Sequence, residues 1–145
     1  MLRAGMLALG GAVLGQLLAA DPGYRGPRVA CGNGHEAAFA SYRDKVVDTV
    51  VGPVALRRAW YHCAACGHGL APRDAELGAV GASMSPGLAA MTDRAAAAVP
   101  FAQAAALLEE LAGIRLTVKR VERAAEASGA ALAAAGRERA ALIAS

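Results

Sequence analysis

The sequence predicts an α+β fold: a small zinc-ribbon-like β-hairpin unit between an N-terminal helix and a C-terminal helical part. Three observations predict it. All three cysteines, Cys31, Cys63 and Cys66, fall in one stretch rich in β-branched and aromatic residues, with a Cys-Gly-Asn-Gly-His knuckle at one end and Cys-Ala-Ala-Cys-Gly-His at the other. Ahead of it runs an apolar segment at helical spacing. Behind it, from Ser85 onward, come alanine- and leucine-rich segments punctuated by Pro100 and Gly113.

The first helix is expected over 2–20. Leu2, Met6, Leu9, Val13 and Leu17 recur on one face, and Asp21-Pro22-Gly23 stops it, so 1–22 forms the N-terminal element. A secretory signal has a similar layout, with Arg3, an apolar run and small residues at Ala19 and Ala20. Leu18 spoils the Ala-x-Ala cleavage pattern, and Gln16 and Asp21 end the run short of the roughly 20 residues a membrane span needs. A thiol-rich knuckle belongs in a reducing compartment, which places the protein in the cytoplasm with no membrane partner.

Residues 23–76 make the β unit. Extended pieces are expected at 28–30, 36–42, 45–51 and 54–61, with Gly52-Pro53 turning the chain. The Cys-x-x-Cys spacing lets both thiolates reach one tetrahedral ion, and Cys31 and His35 complete a shell of three thiolates and one imidazole. Such a shell excludes water, so the Zn2+ it holds is structural. His68 competes with His35 for the fourth place; His62 adjoins Cys63 and points to the opposite face of a strand. A redox pair would need a helix starting at the motif, whereas Gly67, Gly69 and Pro72 follow it.

Arg43, Lys45, Arg57 and Arg58 lie on these strands, interleaved with Tyr42, Trp60 and Tyr61. That pattern suits a surface gripping phosphates and stacking on bases, and it equally suits a solvated sheet face whose aromatics pack the ribbon. A Gly- and Ala-rich connector spans 77–84. In 85–129, Ser85 and Pro86 start a helix that ends before Pro100; Leu88, Met91 and Ala95 form its stripe. Phe101, Ala104, Leu108 and Leu111 line the next helix up to Gly113, and Thr117 caps a third whose Val118, Val121 and Ala125 face inward.

Two helices about a glycine turn predict a helix-turn-helix. Its second helix would offer Thr117, Lys119, Arg120 and Arg123 to a DNA groove. Glu109 stands where the repressor-like version wants a small residue, so a plain αα-hairpin competes. The tail, 130–145, is alanine-rich and helical by propensity, weakened by Gly136 and, just before it, Gly129. It ends without a cap, which suggests a helix meant to continue or a chain cut short.

In 145 residues, 56% are hydrophobic but only 4% aromatic, so the core is thin and a metal cross-link helps the β unit. The net charge of +3 and pI near 9.0 favour polyanionic partners.

Over about 21–129 the sequence resembles the N-terminal part of bacterial insertion-sequence transposases of the ISKra type in their actinobacterial form. The carriers include Asp21-Pro22-Gly23-Tyr24-Arg25-Gly26-Pro27, Cys31-Gly32-Asn33-Gly34-His35, Tyr42-Arg43-Asp44-Lys45, Thr49-Val50-Val51-Gly52-Pro53-Val54 and Arg57-Arg58-Ala59-Trp60-Tyr61-His62-Cys63-Ala64-Ala65-Cys66-Gly67-His68-Gly69. Ala71-Pro72-Arg73-Asp74, Ser85-Pro86-Gly87-Leu88, Pro100-Phe101 and Lys119-Arg120-Val121-Glu122-Arg123 extend the match.

The resemblance implies a zinc-binding and helical region that recognises the double-stranded ends of a transposon, followed by an RNase-H-like catalytic domain absent from this chain. Two-metal strand transfer needs converging carboxylates, and the acids here fall on expected helix surfaces or turns, so no catalytic residue is assigned. The expected protein is a truncated, non-enzymatic copy acting at the nucleoid, partnered by DNA and by an intact transposase or itself. The alternative from another class is a zinc-ribbon protein-interaction module. A secreted or redox-active small protein is a third.

Overall fold

The computed structural model describes residues 1–144, and the chain divides into two compact units, Met1–Pro86 and Gly87–Ser145. One long antiparallel hairpin, β2 (Glu36–Thr49) with β3 (Gly52–Cys63), is the spine of the first unit. The short strand β1 (Arg28–Ala30) adds to the free edge of β2, and β4 (His68–Leu70) to that of β3, giving a sheet in the order β1-β2-β3-β4.

The expected pieces 36–42 and 45–51 are one strand, because Arg43 and Asp44 keep their cross-strand partners Arg58 and Arg57. The turn lies at Val50-Val51 rather than at Gly52-Pro53. Thr49 closes it: its hydroxyl donates to the Gly52 carbonyl (2.7 Å) and accepts from the Val51 amide (3.2 Å). Gly52 then takes φ +105°, a value an L side chain resists. The strand β4 was not foreseen; at three residues it has no readable period, and its pairing follows from the tight Cys63–Gly67 turn, closed by the Gly67 amide on the Cys63 carbonyl (2.8 Å).

Register slips between Phe39 and Ser41, so Ala40 is an extra, bulged residue. Alternation would otherwise set Phe39 and Tyr42 on opposite faces. The bulge puts both on one face, with ring centroids 5.3 Å apart.

One sheet face, bearing Val47, Val54 and Leu56, is covered by α1 (Leu2–Ala19). The expected apolar stripe of α1 does not do the covering. Leu2, Met6, Leu9, Val13 and Leu17 stay exposed, while Gly10, Gly11, Gly15, Leu14 and Leu18 meet the sheet. The reason is steric: a Cβ on Gly10 would stand 3.2 Å from Val51 Cγ1, so the glycine face lets the helix approach more closely than its bulky face can. With 18 residues and a mean hydropathy of 1.5, α1 also has the length and composition to cross a membrane, against the expectation that Gln16 cuts the run short.

Residues 21–27 cross the other sheet face as a strap. The Pro22 carbonyl accepts from Ala59 N at one end (2.7 Å), the Pro27 carbonyl from Phe39 N at the other (2.9 Å), and between them Tyr61 Oη accepts from Arg25 N and donates to the Gly26 carbonyl (both 2.8 Å). Beneath the strap lies a small core of Ala37, Ala59, Tyr61 and Cys63, edged by Val29, Phe39 and Leu70.

A five-residue helix, α2 (Pro72–Glu76), follows β4 within the stretch expected as the β unit, with Pro72 in its first turn. The 77–84 segment is no free connector either. Asp48 N donates to the Ser83 carbonyl (2.9 Å), Ser85 N to that of Asp48 (2.8 Å), and Ala79 is buried, so the unit boundary falls after Pro86.

The second unit holds all of α3 (Pro86–Ala98) but its first residue, together with α4 (Phe101–Ala112) and α5 (Val118–Ala144). Gly113, left-handed at φ +71°, ends α4 as a C-terminal glycine should, with amides of Gly113 and Ile114 returning to Glu109 and Leu108. Thr117 Oγ1 accepts from Arg120 N (3.3 Å) and caps α5. Ala104, Leu108 and Val121 form the core, packed round by Phe101, Val99 and Leu116.

Two expected core residues lie outside it. Leu111 is 70% exposed and Val118 46%, whereas Leu116, past the turn at Gly113, packs against the core and Ile114 is buried. On α3, Leu88 and Thr92 are buried while Met91 is not. The helix α5 runs unbroken through Gly129 and Gly136; each glycine costs about 1 kcal/mol against alanine, and the surrounding alanines carry the helix through.

Candidate metal centre

Four side chains converge at one end of the sheet. The Sγ atoms of Cys31, Cys63 and Cys66 and a ring nitrogen of His35 lie within 4.8 Å of one another, close enough to hold one metal ion. Cys31 Sγ is 3.8 Å from Cys66 Sγ, and His35 Nδ1 is 3.2 Å from Cys66 Sγ. A disulfide needs about 2.05 Å, so these are free thiols facing a common point. His68 opens β4 opposite Cys63 and is not one of the four.

Local backbone chemistry makes both knuckles. Cys31 N donates to the His35 carbonyl (2.9 Å), folding 31–35 back on itself, and Gly32 and Gly34 at φ +91° and +80° permit that curl. Asn33 serves both sulfurs: its amide N–H donates to Cys31 Sγ (3.4 Å) and its side chain to Cys66 Sγ (3.6 Å). The Asn33 amide is the main reason the Cys31 thiol is pulled down to about 6; partial burial opposes it, and the His35 amide and the other two cysteines assist. Cys66 moves the other way. The Asn33 side chain favours its thiolate, but partial burial and the neighbouring Cys63 and Cys31 sulfurs together push its thiol up. Crowded thiolates repel each other, and a cation at their centre removes that repulsion. After Cys66 the chain turns and enters β4, with no helix to activate a redox cysteine.

The basic residues of the hairpin do not form one surface. Alternation and register place Arg43, Lys45, Arg58 and Trp60 on the face toward α1, and Tyr42, Asp44 and Arg57 on the strap face. Lys45 and Arg58 turn inward to the buried Asp74 of α2. Lys45 Nζ donates to Asp74 Oδ2 (3.3 Å) and to the Ala79 carbonyl (2.6 Å), and Arg58 Nη1 to the same Oδ2 (3.0 Å). Their side chains are only 15% and 12% exposed, so both serve packing and neither is presented to an external phosphate. Asp74, which the sequence does not single out, is the hub.

Arg43 lies over the Trp60 ring at 4.5 Å, and Trp60 also lies close against Gly69, where a Cβ would stand 2.7 Å from its Nε1. Arg57 lies over Tyr42 at 5.1 Å. Both arginines are exposed. On α5, Lys119 and Arg123 are exposed and Arg120 is half-buried; Lys119 pairs with Glu122 one turn on (2.7 Å).

A surface network secures the strap. Arg25 bridges Asp21 (2.7 Å) and Glu76 (2.8 Å), and Arg73 also reaches Glu76 (3.0 Å). The Arg25 hydrogen bond, seconded by the Gly23 amide, holds the Asp21 carboxyl well below its ordinary value; Arg73 and then Arg25 do the same for Glu76.

Comparison with protein-family models, curated proteins and solved structures finds no match to this chain.

Proposed function

We propose that this protein is a DNA-binding module held together by one structural Zn2+, and that it corresponds to the end-recognition region of an insertion-sequence transposase. The convergence of Cys31, His35, Cys63 and Cys66 carries the reading. Two sulfurs bound at about 2.3 Å to a tetrahedral zinc lie about 3.8 Å apart, and Cys31 and Cys66 stand at 3.8 Å. A three-thiolate, one-imidazole set is soft and closed, which suits zinc that crosslinks and does no chemistry.

The α4–Gly113–α5 turn is read as a helix-turn-helix whose second helix presents Thr117, Lys119, Arg120 and Arg123 to the duplex. Arg43 and Arg57 are the hairpin residues available for phosphate; Lys45 and Arg58, engaged with Asp74, leave the contact set. The ligand is double-stranded DNA at transposon ends, the location the cytoplasmic nucleoid, and the further partner an intact transposase or a second copy. No strand cleavage is assigned to the chain.

Fluorescence anisotropy of the zinc-loaded chain on duplex DNA tests this. With about four phosphate contacts, affinity should fall on the order of a hundredfold between roughly 50 and 200 mM salt. The protein-interaction reading is favoured by a different observation, the exposed Leu2, Met6, Leu9, Val13 and Leu17 on α1. Bound zinc with no salt-sensitive DNA affinity decides for it.

A further inference from the structure

On the strap face of the sheet, beyond the small core, lies an open surface of unusual make-up. Tyr24, carried on the strap, is 45% exposed, and Tyr42 of β2 is 42% exposed. Phe39 stands between them, edge-on to both, with centroids 5.2 Å from Tyr24 and 5.3 Å from Tyr42. The exposed guanidinium of Arg57 lies 5.1 Å over the Tyr42 ring, and the exposed Val46 extends the surface toward the turn.

Both tyrosines pack against Phe39 and still leave more than two-fifths of their surface to solvent. The Tyr61 hydroxyl is buried and fully engaged by the strap, whereas Tyr24 and Tyr42 present ring area to solvent. The Ala40 bulge is what brings Tyr42 to this face, next to Phe39 and opposite α1. We propose that this face, built on Tyr24, Tyr42 and Arg57, is a stacking platform for unpaired bases of a single-stranded nucleic acid.

Unpaired bases carry π-faces, and sequence-tolerant single-strand sites pair aromatic rings or guanidinium planes with a cation for the backbone. Aromatic rows on open sheet faces take bases in this way without entering a groove. Arg57 suits both roles: its exposed guanidinium lies over the Tyr42 ring, and its charge would meet the phosphate. Asp44, directly opposite Arg57 in register, works against a phosphate and sets the affinity lower than the rings alone permit. The site stands on the first unit only and does not depend on α5 reading a duplex.

The test uses the full zinc-loaded chain with three fluorescent probes: a short oligothymidylate, the oligouridylate of equal length, and a DNA duplex. The wild type should bind one or both single strands, more weakly at higher salt. Tyr42→Ala and Arg57→Ala should each weaken that binding about five- to a hundredfold, with Tyr42→Phe near wild type. Asp44→Asn should strengthen it. Lys119→Ala with Arg123→Ala should leave it unchanged whether or not duplex binding is lost. Metal content and circular dichroism confirm that each variant is folded. No single-strand binding, or binding indifferent to Tyr42 and Arg57 but lost with Lys119 and Arg123, overturns the proposal.

Discussion

The two units are stabilised by different parts of the same physics. In the first, the contacts that matter join residues far apart in sequence: Cys31 to Cys66, Arg25 to Tyr61 and Glu76, Lys45 to Asp74. Its strap-side core is of small side chains, Ala37, Ala59 and Cys63, around one tyrosine, and Val54 and Leu56 are buried on the other sheet face. In the second, helix periodicity, a glycine turn and a threonine cap do most of the specifying, and Ala104, Leu108 and Val121 close the core. A small sheet with little apolar area needs a cross-link or a buried ionic hub, whereas helices need only a stripe and good ends.

Metal removal should separate the two most. A chelator, or Cys63→Ser, would take away the proposed Zn2+, whose binding to zinc-finger sites is worth about 10–16 kcal/mol at neutral pH, so the sheet should be lost and all remaining thiols become reactive. Helical circular dichroism from the second unit should persist. Simultaneous collapse of both signals would show the units to be interdependent. Acid should act as the chelator does, since protons compete for the thiolates as pH falls.

Next in size is Asp74→Ala, which leaves Lys45 and Arg58 without their shared carboxylate in a mostly buried place. About 3–5 kcal/mol of the first unit's stability should go, read by urea denaturation on the fluorescence of the single tryptophan, Trp60. Leu108→Ala is the counterpart in the second unit. With Leu108 only 4% exposed, about 2–4 kcal/mol should be lost from the helical transition while metal affinity stays at its wild-type value. Thr117→Ala, which removes a cap on an exposed helix end, should cost about 1 kcal/mol in that same transition.

Legibility in the sequence follows the same division. The helix limits at Pro86, Pro100, Gly113 and Thr117 were readable because each is set by a residue's own backbone preference within one turn. The four clustered donors were readable because donor type and chelate spacing are local, although bringing His35 rather than His68 into the cluster needed the curl of 31–35. What escaped the sequence is non-local. Helix α1 turns its glycine face to the sheet because close approach to Val51 outweighs side-chain hydrophobicity, and Leu111 stays outside while Leu116, beyond the Gly113 turn, packs on the core. No spacing rule announces that Asp74, 29 residues from Lys45, will draw in two of the four hairpin cations.

Residue chemistry along the chain was thus enough to determine that three thiols and an imidazole would gather on a β-unit and that capped, alanine-rich helices would follow. Only the tertiary structure decided which charges face solvent and which are spent on Asp74, which sheet face carries Tyr42, and which side of α1 is covered. The reason is one of range. Donor spacing, caps and turns act within a few residues, whereas register, a single bulge and close packing are settled by residues that meet only after the chain has folded.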